Sequence, residues 1–292
     1  MGLNYCNLKS HTLDPTPQPL TMTFQYARKS THKVHRYDSL EGITGSDDVS
    51  KETWLFACPH DDDIAIGGGL WLKAACEAGV DVHLLAATDG RMGYCSLEEK
   101  DTIAEVRRAE LIQSCAALGL DDATKIHLLG FPDCNLAQYL GRRPAKAGDP
   151  QTAGYTGLQN AFVDKLRAIR PDRLFMPSPM DYHPDHQQVY NEMQISIFHA
   201  NGEIWPELGK PADVPEVYDL AIYCDFPHPP NLQLKCSEDQ FQAKLDAIAC
   251  YKSQKQIELL VQKVKDAGPY EYLREVNFKF YSASAYHHLF EG

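Results

Sequence analysis

The sequence predicts an α/β fold: Rossmann-like, with a largely parallel sheet flanked by helices in a single main domain. Short apolar runs recur along the chain, segments of helical period separate them, and loops rich in glycine or acidic residues follow the runs. Repeated strand, helix, strand order is the signature of a doubly wound parallel sheet, whose ligand crevice lies at the carboxyl ends of the strands.

Taken in order, residues 54–58 form a brief, aromatic-rich run closed by charge and then glycines, the pattern of a buried strand. Ile66, Leu70, Ala74 and Ala78 recur at helical spacing behind it. Residues 80–87 predict the second strand, 102–118 a helix, and 126–129 a third strand closing at Phe131-Pro132-Asp133. A helix over 158–170 is stopped by Pro171, a fourth strand covers 173–176, and Pro184 opens a helix reaching about residue 199. Residues 217–224 read as a further strand, residues 238–265 as helical, and the remainder as a C-terminal segment. Residues 1–50 are polar and turn-rich and read as an N-terminal arm to a main domain of 51–292. Within the arm, residues 21–26 alternate as an edge strand or as a pairing element for a neighbouring subunit, so a homo-oligomer is compatible with the pattern. Residues 141–157 interrupt the periodicity with Pro, Gly and basic residues. They read as a lid or selectivity loop, or equally as a plain surface excursion.

Composition narrows the function classes. A net charge of −12 argues against nucleic-acid or anionic-membrane partners. No run approaches the roughly 20 apolar residues of a membrane span, and no basic-then-apolar leader pattern opens the chain. Nine cysteines without a Cys-x-x-Cys pair suit reduced thiols in a cytoplasmic setting.

The chemistry concentrates in Ala57-Cys58-Pro59-His60-Asp61-Asp62-Asp63, at the end of the first core strand. One imidazole and three carboxylates in succession are costly to place together without a positive charge, and a divalent cation supplies it. The following Gly67-Gly68-Gly69 does not have the spacing of a dinucleotide loop, and the aspartates would repel a phosphate. A metal needs a further donor, and Asp181-Tyr182-His183-Pro184-Asp185-His186 offers it after another apolar run.

These two segments resemble the signature motifs of the PIG-L/LmbE-like family of zinc-dependent N-deacetylases. Supporting landmarks fall in family order: Thr88-Asp89-Gly90, Arg108 with Glu110 ahead of Ala117-Leu118-Gly119, Gly130-Phe131-Pro132-Asp133, and Lys244 through Ser253-Gln254. One departure is Asp61, which stands where the family has a proline. The resemblance implies His60, Asp63 and His186 as Zn²⁺ ligands and Asp62 as general base; a register slipped by one residue would make Asp61 the base. Three protein ligands leave a position for water, the arrangement of a catalytic zinc site. His183 then reads as the oxyanion donor, held charged by Asp185. In some family members a tyrosine two residues before that histidine assists, and here that position is Asp181. Asp89, Arg91 and Asp133 are candidate substrate contacts, because loops at this sheet edge carry function. Asp61 itself reads most simply as a solvated or helix-start carboxylate.

The implied activity is removal of an N-acetyl group from an N-acetylglucosamine-like sugar or conjugate, a small-molecule substrate. Two other readings stay open: hydrolysis of another C–N bond in a small metabolite or thiol conjugate, and a non-catalytic metal- or ligand-binding α/β protein.

Overall fold

Every side chain of β3 (Thr53–Cys58) after the first is buried, and the strand's two faces feed two different cores. Trp54, Phe56 and Cys58 point into one cluster, Leu55 and Ala57 into the other. That is the period-two consequence of a strand covered on both sides. A computed structural model describes residues 24–291 of the chain.

Ahead of β3 come β1 (Phe24–Lys29), β2 (Val34–Tyr37) and α1 (Leu40–Thr44); after it come α2 (Asp63–Gly67), α3 (Gly69–Glu77), β4 (Asp81–Thr88), α4 (Ile103–Ala117) and β5 (Ile126–Phe131). A small hairpin of β6 (Arg143–Pro144) and β7 (Tyr155–Thr156) precedes α5 (Leu158–Ile169), β8 (Arg173–Pro177), α6 (Pro184–Asn201) and β9 (Glu216–Leu220). The chain closes with β10 (Leu232–Cys236), α7 (Glu238–Ala249), α8 (Ile257–Ala267) and β11 (Tyr270–Val276).

The main sheet has nine strands in the order β2-β1-β10-β11-β9-β8-β3-β4-β5. From β9 to β5 the neighbours run parallel, which is the Rossmann-like core. The other four strands extend it antiparallel through the β11–β9 pair. Helices α3, α4 and α7 pack their apolar residues on one face, and α5 and α6 cover the other.

The N-terminal expectation needs correction. Residues 24–44 are part of the sheet and core rather than an arm: β1 pairs with β10, and Phe24, Tyr26, Leu40 and Ile43 join the larger cluster. The start of the alternating segment, residues 21–23, lies outside the described residues. Residues 217–224 are strand only through Leu220, and the helical stretch 238–265 is broken between Ala249 and Ile257. That break places Ser253 and Gln254 in a linker beside the loop that follows β3.

Candidate active site

At the end of β3 the chain turns sharply. Pro59 O accepts both the N–H and the hydroxyl of Thr88, each at 2.9 Å, which ties the turn to β4. The His60 N–H donates to Asp63 Oδ2 at 2.8 Å, and Asp63 starts α2, where an acidic residue is favoured. From β8 the chain passes through a second turn in which the His183 N–H donates to Asp181 Oδ1 at 3.0 Å. Pro184 then opens α6 and sets His186 on its first turn.

The two turns face each other across neighbouring parallel strands and bring three donor residues together. His60 Nδ1 is 3.4 Å from Asp63 Oδ2, His186 Nε2 is 3.3 Å from Asp63 Oδ1, and the two imidazole nitrogens are 3.2 Å apart. Ligands bound at about 2.0–2.1 Å to a tetrahedral ion lie roughly 3.3–3.4 Å from one another, so each of these approaches has the spacing of a ligand pair, with the two imidazoles meeting different oxygens of Asp63. Asp63 and His186 are fully buried, and Asp63 Oδ1 has no hydrogen-bond partner among the described residues. His60 and His186 together with His183 also form a group close enough to hold a metal ion.

Each imidazole is backed by carboxylate on its far side. His60 Nε2 lies 3.2 Å from Asp133 Oδ1 and 3.5 Å from Asp185 Oδ2, and His186 Nδ1 lies 3.1 Å from Asp181 Oδ2. These are ion-pair approaches rather than hydrogen bonds, since His186 Nδ1 and Asp133 Oδ1 have no hydrogen-bond partner among the described residues, and they leave His60 Nδ1 and His186 Nε2 turned toward the shared centre.

Asp62 borders the same cavity but stands outside the tripod. Its Oδ2 accepts from Gln254 Nε2 at 2.8 Å and faces the Arg107 guanidinium at 3.1 Å, while its buried Oδ1 is without a partner among the described residues. Arg107 also forks onto both oxygens of Asp61 and lies 5.0 Å over the Tyr251 ring, whose hydroxyl donates to Asp61 O at 2.5 Å. Glu110, one turn along α4, accepts from Ser253 N–H at 2.8 Å and from its hydroxyl at 2.6 Å. A single helix thus supplies the cation beside Asp62 and anchors the linker that carries Gln254.

Several expectations are relocated. Asp185 does not pair with the His183 side chain: its oxygens accept from Cys134 N–H (2.8 Å) and Leu136 N–H (3.3 Å) and turn toward His60. His183 Nδ1 accepts the Asp185 backbone N–H at 3.2 Å, and burial with His60 and His186 nearby holds this imidazole below its ordinary pKa, so a charged His183 is disfavoured here. Asp133 borders the cavity, but its oxygens face His60 and the Met92 N–H. Asp89 pairs with Arg91, at 2.6 Å from Nε, and neither lines the cavity. Asp61 is buried rather than solvated. Residues 141–157 form a hairpin tied down by Arg142, which bonds Asn160 at 2.8 Å and stacks on Tyr155, and none of them borders the site.

Three contributors lie outside the expected set. Arg107, rather than the exposed Arg108, faces inward, and the signal was present: Ile103, Arg107, Leu111 and Ser114 share one buried stripe of α4. Asp181 stands where some family members have a tyrosine, and it faces His186 Nδ1 instead. Tyr223, beyond β9, belongs to no motif, yet its ring centroid lies 4.9 Å from that of His186. Burial, with Asp63 and Asp62 close by, pushes its phenol pKa upward.

The cavity bounded by His60, Asp62, Arg107, His183, Tyr223 and Gln254 holds about 160 Å³, room for a small acyl group. A larger cavity, about 870 Å³, is lined by Arg28, Glu216, Glu275 and their neighbours and shares no residue with this site. No helix among the described residues is long and apolar enough to cross a membrane.

Residues 55–195 match the family model described as GlcNAc-PI de-N-acetylase, PIG-L. A diacetylchitobiose deacetylase of Thermococcus kodakarensis is 29% identical over 202 residues, 67% of each chain. A 1D-myo-inositol 2-acetamido-2-deoxy-alpha-D-glucopyranoside deacetylase of Kineococcus radiotolerans is 29% identical over 184 residues, 57% of this chain and 51% of that one. This chain therefore spans two thirds of the first relative and about half of the second. Among solved structures, the N,N'-diacetylchitobiose deacetylase of Pyrococcus horikoshii superposes with a TM-score of 0.62 at 23% identity, covering 87% of this chain and 98% of that one. The same fold is shared with GalB, a 4-carboxy-2-hydroxymuconate hydratase of Pseudomonas putida, at a TM-score of 0.56 and 16% identity, covering 79% of this chain and 98% of that one.

Proposed function

Because this chain belongs to the PIG-L/LmbE-like family, we propose that it is a zinc-dependent deacetylase that hydrolyses the acetamide of an N-acetylglucosamine-like sugar or conjugate. The observation that carries the reading is the tripod of His60 Nδ1, Asp63 and His186 Nε2 at 3.2–3.4 Å spacing, with an unpartnered oxygen of Asp62 beside it. Zn²⁺ held there would polarise the acyl carbonyl and lower the pKa of a water to about 7.

The chain's own residues do the rest. Asp62 Oδ1 is free to take the attacking water's proton and later return it to the departing amine, because Gln254 and Arg107 occupy Oδ2. His183, with Nδ1 accepting a backbone N–H, carries its proton on Nε2 and can donate to the acyl oxygen as charge develops. Arg107 Nη1 is buried without a partner among the described residues, and Arg107 borders the cavity, which suits a substrate hydroxyl. Asp133, Asp181 and Asp185 act on the imidazoles rather than on substrate. Free thiols throughout the described residues accord with a reducing, cytoplasmic setting.

A panel of N-acetylglucosamine derivatives tests this, with acetate release measured for protein as purified, chelated, and resupplied with zinc. Activity lost on chelation and regained with zinc is expected. Metal binding without acetate release would remove the substrate class and leave the site. Because the fold alone also hosts a hydratase, the acid released has to be identified directly.

Gln254→Ala should lower kcat by roughly 10–100-fold at unchanged metal content, since a hydrogen bond to a charged group contributes about 1.5–3 kcal/mol. Initial rates with metal analysis check it, and a wild-type kcat would remove Gln254 from the positioning of Asp62.

A further inference from the structure

The groups around the cavity sort into two sides. Asp62 lies with Arg107 and Gln254, which reach it from α4 and from the α7–α8 linker. His183 and His186 lie with Tyr223, whose ring centroid is 6.3 Å from the first and 4.9 Å from the second. A water activated by Asp62 attacks from the first side, so the acyl oxygen is directed to the second.

Tyr223 is placed there by contacts that also place the proposed metal ligand. Its backbone N–H donates to Asp181 Oδ2 at 3.1 Å, and the same oxygen lies 3.1 Å from His186 Nδ1. The preceding residues pack directly on the end of α2: a Cβ at Gly67 would meet Ala221 O and the Ile222 side chain at 2.8 Å, so only glycine admits this approach. Tyr223 is 52% exposed and also lines the cavity. A phenol is an ordinary hydrogen-bond donor at neutral pH, and the carboxylate-rich floor calls for donors wherever a further negative charge develops.

We infer that Tyr223 is a catalytic residue whose hydroxyl donates a second hydrogen bond to the acyl oxygen, alongside His183. The phenol keeps its proton throughout: it stabilises the charge on the oxygen as the water adds, and transfers nothing. This rests on the deacetylase reading of the same site.

The test compares zinc-loaded wild type with Tyr223→Phe and Tyr223→Ala. Phe keeps the ring and removes only the hydroxyl, so kcat should fall roughly 10²–10³-fold, as for loss of one oxyanion donor, with KM within about twofold. Tyr223→Ala should show the same loss of kcat. Calorimetric titration with acetate, whose carboxylate oxygen takes the place of the acyl oxygen, should give about tenfold weaker binding to Tyr223→Phe. An unchanged kcat or acetate affinity in Tyr223→Phe overturns the assignment, as does a rise in KM alone, which would make the ring a stacking surface. If wild type releases no acetate from any sugar, the deacetylase reading fails, and the acetate titration still decides Tyr223.

Discussion

Asp62→Asn is expected to cut acetate release by roughly 10²–10⁴-fold while leaving metal content and folding near wild type. The amide is isosteric, and its oxygen can still accept from Gln254 and face Arg107, as Oδ2 does now. What it loses is basicity at the position of Oδ1, the atom without a partner. Neither Asp62 oxygen belongs to the tripod, so zinc should remain, and metal analysis beside the kcat measurement separates the two effects. Asp61→Asn should behave in the opposite way. Both Asp61 oxygens are engaged by Arg107, and the residue does not border the cavity. Breaking one partner of a buried ion pair strongly destabilises, so the loss should appear in Tm before it appears in kcat. A fully active Asp62→Asn alongside an inactive, folded Asp61→Asn would transfer the base to Asp61.

Why the two aspartates differ also shows what could be read from the sequence. The loop after β3 and the His183-Pro184-Asp185-His186 turn were legible because ligand spacing is local and both follow buried strands. The parallel core was legible for the same reason, since its apolar runs alternate with helical segments. The antiparallel half was not: β1 pairs with β10, whose partner residues lie some two hundred positions away, and no local period announces that pairing. Side-chain direction was the other blind spot. Asp185, in the first turn of α6, and Asp133, after β5, sit where the motifs placed them, yet both turn to His60, held by the backbone N–H groups of Cys134 and Leu136 on Asp185 and of Met92 on Asp133. Tyr223 lies in a connection whose closeness to His186 depends on strand order alone. Arg107 differs: its helical stripe was in the sequence, and spacing alone distinguishes it from Arg108.

Loss of a tripod member should have the larger consequence. His186→Ala is expected to retain no stoichiometric zinc and to release no acetate, whereas Asp181→Asn, which loses only the carboxylate behind that imidazole, should weaken zinc by roughly 10–100-fold. Metal analysis and a zinc titration rank the two, and equal zinc affinity in both variants would contradict the ligand assignment. The chelated wild type should stay folded, since a proton can substitute for the cation. In the metal-free chain burial opposes charge on His60, but Asp63, Asp133 and Asp185 outweigh it and hold its pKa well above the ordinary 6.5. Burial likewise opposes charge on Asp63, and His186 and His60 pull its pKa below the usual carboxylate range. The signs follow from linkage. A raised His60 pKa gives stability that is complete below about pH 6.5 and is lost as pH climbs toward the folded-state value, while the depressed Asp63 pKa matters only in acid. Metal competes with that proton for His60 Nδ1, so binding releases protons and strengthens as pH rises. The gap in Tm between zinc-loaded and chelated protein should therefore widen from pH 6 to pH 9. A gap that stays constant or narrows would mean that His60 is neutral in the metal-free protein and that some other group balances Asp63.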